Sequence, residues 1–576
     1  LCLLLWPATT AGMQAVDVLA SCRGAVLRRK LLPCLHRPLH RRSTSYRGYR
    51  SSALHQQQSQ RISRVPHAAT AVNSGKGSDQ ETHAFASALL TRDFIAKSLY
   101  NQDTGYFSTK DVINDLPGPL EFGSMLGELH YRMDVKKAYE SKLSAWMTPV
   151  ETFSPYFSHA LARYISREAA KETAATNSST HADGPPRQSH SHRGAAAPDD
   201  GRCGRANLVL YEAGGGTGTN ALNVLNWLRR EEPKLYERTE YTMVEISERL
   251  AERQTERVCA VHENCRVVNA NVLEWGMSGE VDPRPCFFLG MELLDNLPHD
   301  KIAWAAPSVL GAGGDVLPQS PESGGTEQLC EAVVVETAHG FREAFRPLRD
   351  PVIRELLSFC PDIATMVKTR DGSLNSGAAE EASSNFLGRS LAGLFGGGAL
   401  RPEHRAAFVP TGSLRLVQAL RKRLPRHRAI LADFDSFAES AEMRAESFDG
   451  EMAAGGEGGG GGNDESLMAF QAPIVSSRDP VTGSVTDHST YMAPLGSADI
   501  FFPTCFDKLS RLHAAVCRGG GGIGGEVRRG KGLVVKQGEF LKEFADLRAT
   551  RTFSGFNPLV DDFRNSSVFL SGAVMP

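Results

Sequence analysis

The chain has 576 residues, 41% hydrophobic and 23% charged, a composition that excludes a wholly disordered or collagen-like polymer, and the roughly three or four domains its length would allow are too many, because long Gly-, Ser- and charge-rich stretches join no core. Its 64 Lys and Arg against 66 Asp and Glu give a net charge of −2, yet twelve of the basic residues and no acid stand between Asp17 and Asp79, so residues 1–78 carry a net +11. The remainder is correspondingly acidic, which argues against general binding to nucleic-acid phosphates.

Residues 1–80 read as an organellar presequence without a fold of its own. Runs such as Arg28-Arg29-Lys30-Leu31-Leu32 and Arg41-Arg42-Ser43 are basic, Ser-rich and acid-poor, the pattern of mitochondrial or plastid import segments. A plain basic tail is the alternative; a secretory signal conflicts with the Arg load that follows Leu1–Trp6. That apolar run falls short of the roughly 20 residues a bilayer span needs, and no later stretch supplies them, so no stable membrane insertion is expected. Residues 85–170 are mostly helical in pattern and are expected to form an N-terminal extension. A linker over 171–205 follows, containing Asn177-Ser178-Ser179-Thr180 and Pro185-Pro186, with His190 and His192 as solvated loop residues rather than ligands.

From 206 to 440 strand and helix alternate. Asn207–Tyr211 reads as a buried strand and Asn220–Arg230 as a helix, with Leu222, Leu225 and Leu228 on one face and Thr219 as N-cap. Tyr241–Val244 is a second strand, followed by a charged helix through Val258. Arg266–Val268, Cys286–Leu289, Glu331–Glu336 and Ala429–Phe434 follow as further strands. This rhythm predicts an α/β fold, a Rossmann-like parallel sheet doubly wound by helices. Long insertions at 308–327 and 370–400, a Gly-rich insertion at 445–466 and the basic Gly-rich stretch Arg518 to Gly532 are expected to loop out, because they bury too little apolar surface to offset the entropy of ordering. Residues 467–576 would complete the sheet. No fixed-period repeat is present.

The most informative stretch is Glu212-Ala213-Gly214-Gly215-Gly216-Thr217-Gly218-Thr219, between a strand and a helix. Glycines there let the backbone turn sharply and approach a ligand whose polar groups meet the free N–H groups of the helix start. A dinucleotide fingerprint fails, since the sixth position counted from Gly214 is Thr219, and the Gly-Lys-Ser/Thr ending of a P-loop is missing. An acid followed by Gly at alternate positions, Glu212, Gly214, Gly216 and Gly218, resembles the first motif of S-adenosylmethionine-dependent methyltransferases. Glu245 ends the second strand, where a carboxylate would accept hydrogen bonds from ribose hydroxyls. Asn271 has two readings, an adenine ligand or a helix N-cap. Glu292 follows the fourth strand and opens Glu292-Leu293-Leu294-Asp295-Asn296-Leu297-Pro298. The eleven cysteines show no CxxC pair and no Cys/His cluster at zinc spacing, Cys259 and Cys265 included, so reduced thiols and no metal are expected.

Several motifs in order resemble the MidA-like family of mitochondrial methyltransferases, whose animal member is a complex I assembly protein arginine methyltransferase. They are Leu99-Tyr100-Asn101 with Gly105-Tyr106-Phe107-Ser108, then Thr148-Pro149-Val150-Glu151, Glu212 to Gly218, Val244-Glu245-Ile246-Ser247 and Glu292 to Pro298. Asp499-Ile500-Phe501-Phe502-Pro503-Thr504 and Gly555 to Phe563 look like its plant and algal branch. The chain departs from the family at Met291, where an Asn is usual, and at Leu293-Leu294, where paired Phe is usual. The resemblance implies a class I methyltransferase fold, S-adenosyl-L-methionine as cofactor and in-line attack by a substrate nitrogen on its methyl group. It further implies a protein substrate, a complex I core subunit among the candidates, and the mitochondrial matrix. Glu292 and Asp295 would orient the substrate guanidinium as catalytic residues, with Thr148 and Glu151 on the substrate side. A methyltransferase for another protein or small molecule, and a non-catalytic assembly factor on the same fold, are the alternatives.

Overall fold

The computed structural model of the chain describes residues 88–179 apart from 114 and 117, then 208–310, 316–318, 326–369, 405–437, 472–518 and 532–572. The expected presequence, His190 and His192, and the insertions at 370–400 and 445–466 lie outside these residues, as do most of 171–205, 308–327 and Arg518 to Gly532. The N-terminal part comprises β1 (Leu89–Leu90), α1 (Thr91–Tyr100), α2 (Tyr106–Thr109), α3 (Glu128–Ser141), α4 (Pro149–Thr152) and α5 (Tyr156–Ser179). The helix α5 runs on to Ser179, so the expected linker does not begin at 171.

The apolar runs Leu208–Ala213 (β2) and Cys286–Met291 (β5) are buried at every residue, as strands covered on both faces must be. In chain order the intervening elements are α6 (Thr219–Glu231), α7 (Pro233–Tyr236), β3 (Thr239–Glu245), α8 (Glu248–Gln254), a π-helical turn over Thr255–Cys259, β4 (Cys265–Asn269) and α9 (Val272–Ser278). After β5 the chain forms β6 (Asp300–Ala305), a small hairpin of β7 (Ser308–Leu310) and β8 (Val316–Pro318), then β9 (Gln328–Thr337), β10 (Gly340–Pro347), α10 (Pro351–Phe359), α11 (Pro361–Thr369) and β11 (Arg405–Val409). It continues through α12 (Thr411–Arg423), β12 (His427–Phe434), β13 (Ile474–Arg478), β14 (Val485–Asp487), β15 (Asp499–Phe501) and α13 (Phe506–Arg518). The last elements are β16 (Leu533–Lys536), α14 (Gln537–Phe544), α15 (Pro558–Asp561) and β17 (Ser566–Leu570).

Seven strands form the wound sheet, in the order β16-β17-β12-β5-β2-β3-β4. The pairs from β12 to β4 are parallel, and β17 is antiparallel to both neighbours. Val209, Tyr211, Phe288, Leu431 and Phe569 pack on one face against Leu273 and Trp275 of α9, Leu416 and Leu420 of α12, and Leu509 of α13. Each large side chain buried this fully contributes about 1.5–3 kcal/mol. The helices α5, α6 and α14 pack together as a second group.

Glu331–Glu336 does not join this sheet. It lies in β9, the centre of a separate antiparallel sheet in which β6, β9, β10 and β11, inserted in the chain between β5 and β12, are joined by β1 from the N-terminal part. A buried apolar run fixes a strand but not its partner, which is why the sequence reading assigned it to the parallel sheet. Part of the expected loop at 308–327 likewise pairs as the β7–β8 hairpin. The strands β13, β14 and β15 form a third sheet. Phe94 and Leu99 of α1, Val334, Phe408, Val475, Ile500 and Phe502 share one core, so the first helix is fixed to both smaller sheets. Arg92 strengthens that anchorage with two hydrogen bonds to Asp350, at 2.8 and 2.6 Å, and one to Asp300 at 2.7 Å. No helix among the described residues is long and apolar enough to cross a membrane.

Candidate active site

Strand order reverses between β2 and β5, and the crevice at the carboxyl ends of strands at such a point is where wound sheets bind ligands. The loops after β2, β3, β4 and β5 form one side of a groove here, and α1 with the segment after it forms the other. It encloses about 780 Å³, and its lining includes Tyr100, Gly214, Gly216, Glu245, Asn271 and Glu292.

The glycine loop is shaped by backbone sterics. Gly214, Gly216 and Gly218 have φ of +66°, +55° and +83°, in the left-handed region that side chains disfavour. A Cβ on Gly216 would stand 3.0 Å from Ile113 Cδ1, so this backbone faces the groove bare. Gly218 does not line the groove. It is the N-cap of α6, and Thr219, expected as that cap, is the first helical residue.

Buried side chains hold the loop from behind. Glu212 accepts from Asn220 Nδ2 at 2.8 Å and from the Tyr241 hydroxyl at 2.9 Å, and it is absent from the groove lining. Burial pushes its carboxyl up. Glu151 Oε1 accepts from the hydroxyls of Thr217 at 2.6 Å and Thr219 at 2.8 Å, and Thr148 caps α4 by accepting from Glu151 N at 3.2 Å. Thr148 and Glu151, expected on the substrate side, are therefore braces of the glycine loop, and neither lines the groove. The hydroxyls of Thr217 and Thr219, separated by Gly218, face a shared acceptor, which draws Glu151 to them.

Glu245 is the last residue of β3 and lines the groove. It accepts from Ser247 N at 2.9 Å and from Gln254 Nε2 at 3.0 Å, and burial pushes its carboxyl up to about 7. Gln254 Nε2 also donates to Gly216 O at 2.9 Å, tying the two halves of the floor together. Asn271 caps α9, its Oδ1 accepting from Leu273 N at 3.0 Å, and also lines the groove; the two readings of this residue are compatible.

Beyond β5 the acids converge. Glu292 lines the groove in a left-handed conformation, φ +51°, unusual for a residue with a side chain. Asp295 is buried and outside the groove lining, and its Oδ1 has no hydrogen-bond partner among the described residues. Asp433, near the end of β12, accepts from Leu294 N at 2.7 Å, Asp295 N at 3.1 Å and Phe434 N at 2.7 Å, which fixes the path of the loop. Asp499, at the start of β15, accepts from Asn296 Nδ2 at 2.9 Å. Burial is the first cause that raises all four carboxyls, and their mutual repulsion adds to it for Glu292 and Asp295. Asp499 is brought to about 7. Tyr100 donates from its hydroxyl to Asn296 O at 2.8 Å beside them. The sequence reading missed Asp433, Asp499, Gln254 and Tyr100 as parts of this site. An acid near the tip of a predicted strand, the rule that found Glu245, would have found Asp433.

A family described as "Putative S-adenosyl-L-methionine-dependent methyltransferase" matches residues 197–519, more than half of the chain. The protein belongs to this methyltransferase family. S-adenosyl-L-methionine is accordingly its cofactor, and the bare glycine backbone before α6, with a carboxylate at the tip of β3, suits a donor that carries ribose and amino-acid groups and no phosphate. Among solved structures the chain is similar to a COG1565 superfamily member from Burkholderia thailandensis bound to S-adenosyl-homocysteine, at 15% identity and TM-score 0.44, covering 86% of this chain and 91% of that one. It is also similar to a native COG1565 superfamily protein from the same organism, at 16% identity and TM-score 0.41, with the same coverage. No curated protein matches the sequence.

Proposed function

We propose that this methyltransferase acts on an arginine side chain of a protein, in the mitochondrial matrix, with a complex I subunit as substrate, as its resemblance to the MidA-like family implies. The observation that carries the arginine reading is the acid group of Glu292, Asp295, Asp433 and Asp499. Asp295, Asp433 and Asp499 are buried, Glu292 is half-buried at the groove, and none of the four has an ion pair among the described residues, a setting that a bound cation would stabilise. A guanidinium, charged at every physiological pH and planar, suits it better than an amine that can shed its proton.

The bound cofactor supplies a methyl group already activated by the adjacent sulfonium. In this reading the backbone at Gly214 and Gly216 receives its amino-acid end, Glu245 accepts from the ribose hydroxyls and Asn271 meets the adenine edge. Glu212, Gly218, Thr148 and Glu151 hold the loop in shape. Glu292, with Asp295 behind it, orients the guanidinium so that one nitrogen points along the groove, and the Glu292 carboxylate, made more basic by desolvation, takes the proton that nitrogen loses. Asp433 positions both acids through the loop backbone.

Purified protein incubated with labelled donor and an extract of organelles lacking it tests the assignment. Label on arginine of a complex I subunit is the expected result; label only on another residue type or a small molecule, or none at all, overturns it. Donor binding should also depend on pH. Ribose hydroxyls donate more strongly to an ionised carboxylate, so binding favours the deprotonated form of a group that titrates near 7 in the free protein. Affinity for S-adenosylhomocysteine should rise several-fold between pH 6 and 8 by calorimetry, and Glu245→Gln should flatten that slope.

A further inference from the structure

We propose that His427, His513 and Cys517 form a binding site for a zinc ion that clasps α13 to the wound sheet. His427 is the first residue of β12, at the end of the strand opposite the groove, and His513 and Cys517 stand one turn apart on α13. The three donor atoms lie within 4.8 Å of one another. His427 Nε2 and His513 Nε2 are 3.0 Å apart, and His513 Nε2 is 3.7 Å from Cys517 Sγ. Tetrahedral zinc with Zn–N of about 2.0–2.1 Å and Zn–S of about 2.3 Å separates such pairs by about 3.3 and 3.6 Å, close to these two distances, and the third pair, His427 Nε2 to Cys517 Sγ, lies within 4.8 Å and would close on the ion.

The ring chemistry agrees with this geometry. His427 Nδ1 lies 2.7 Å from Leu424 O, a contact that requires its N–H there and directs the Nε2 lone pair toward the cluster. A carbonyl behind a metal-bound imidazole is the usual support for such a ligand. Without an ion the two Nε2 atoms share one proton in a hydrogen bond, and the ion would take its place. Both histidines are buried, and Cys517 is half-buried. Imidazole with thiolate suits zinc better than magnesium or calcium, which prefer oxygen. The site sits away from the donor groove, so its role is structural.

The full-length protein, stripped with chelator, reloaded with Zn²⁺ and dialysed, should retain one equivalent. X-ray absorption at the zinc edge should then show two nitrogen neighbours and one sulfur. His513→Gln and Cys517→Ser should each weaken retention at least about tenfold. Cobalt in place of zinc should give a thiolate charge-transfer band that Cys517→Ser removes. The chain has eleven cysteines and 17 histidines, so the variants separate this site from the others. Circular dichroism of each metal-free variant establishes that it folds. Equal retention by wild type and both variants, no retained zinc, or an absorption edge without sulfur would each overturn the assignment, and the edge measurement needs no variant.

Discussion

Gly216→Val is expected to lower affinity for S-adenosylhomocysteine by at least about 100-fold while leaving a folded protein. Two effects add. At φ +55° a β-branched residue is a strained outlier, which costs about 1–3 kcal/mol, or up to about two orders of magnitude in binding if the strain is relieved by moving the loop. The new side chain would also start 3.0 Å from Ile113 Cδ1 and occupy the groove where the backbone is otherwise bare. Calorimetry reads the affinity, and circular dichroism reads the fold. Near-normal affinity would show that the donor does not approach this turn.

Glu292→Gln should separate binding from chemistry. The substitution keeps size and hydrogen-bonding reach, so donor affinity should stay within a few-fold, because Glu245, Asn271 and the glycine loop are untouched. Methyl transfer in the extract assay should fall about 10²–10³-fold, the usual loss when one group aimed at transition-state charge is removed. Glu292 alone among the four acids both lines the groove and holds a strained backbone, its N–H fixed to Ala432 O at 2.9 Å. Asp295→Asn should also lower transfer, by a smaller factor, since that carboxyl stands behind the groove lining. Unchanged turnover in Glu292→Gln would remove the acid from the mechanism.

The wound sheet was legible because each of its parallel strands is an apolar run between turn residues, and Glu212, Glu245 and Glu292 mark the ends of three of them. The glycine loop was legible because its spacing excluded the dinucleotide and P-loop alternatives. What escaped were relations between distant segments. Glu331–Glu336 is a buried strand in either sheet, and nothing local reveals that β6 and β10 flank it. Glu151 is far from Thr217 in the chain, so its bond to the loop cannot be read from spacing. Asp499 stands in a motif whose spacing shows no role for it, because its partner Asn296 is 203 residues away. His513 and Cys517 have a helical spacing that is common without a metal, and their third member lies 86 residues before His513.

The inserted antiparallel sheet has a consequence for how the molecule comes together. Every element from β2 to α9 lies within one short continuous stretch, so the donor-binding half closes through small loops. The acidic end depends on pairings across 139 residues, between Leu294 and Asp433, and across 203, between Asn296 and Asp499. Closing longer loops costs more chain entropy and slows their formation. The loops between β2 and α9 are therefore expected to take shape before the acidic end, whose pairings wait for the inserted sheet and the C-terminal strands to arrive.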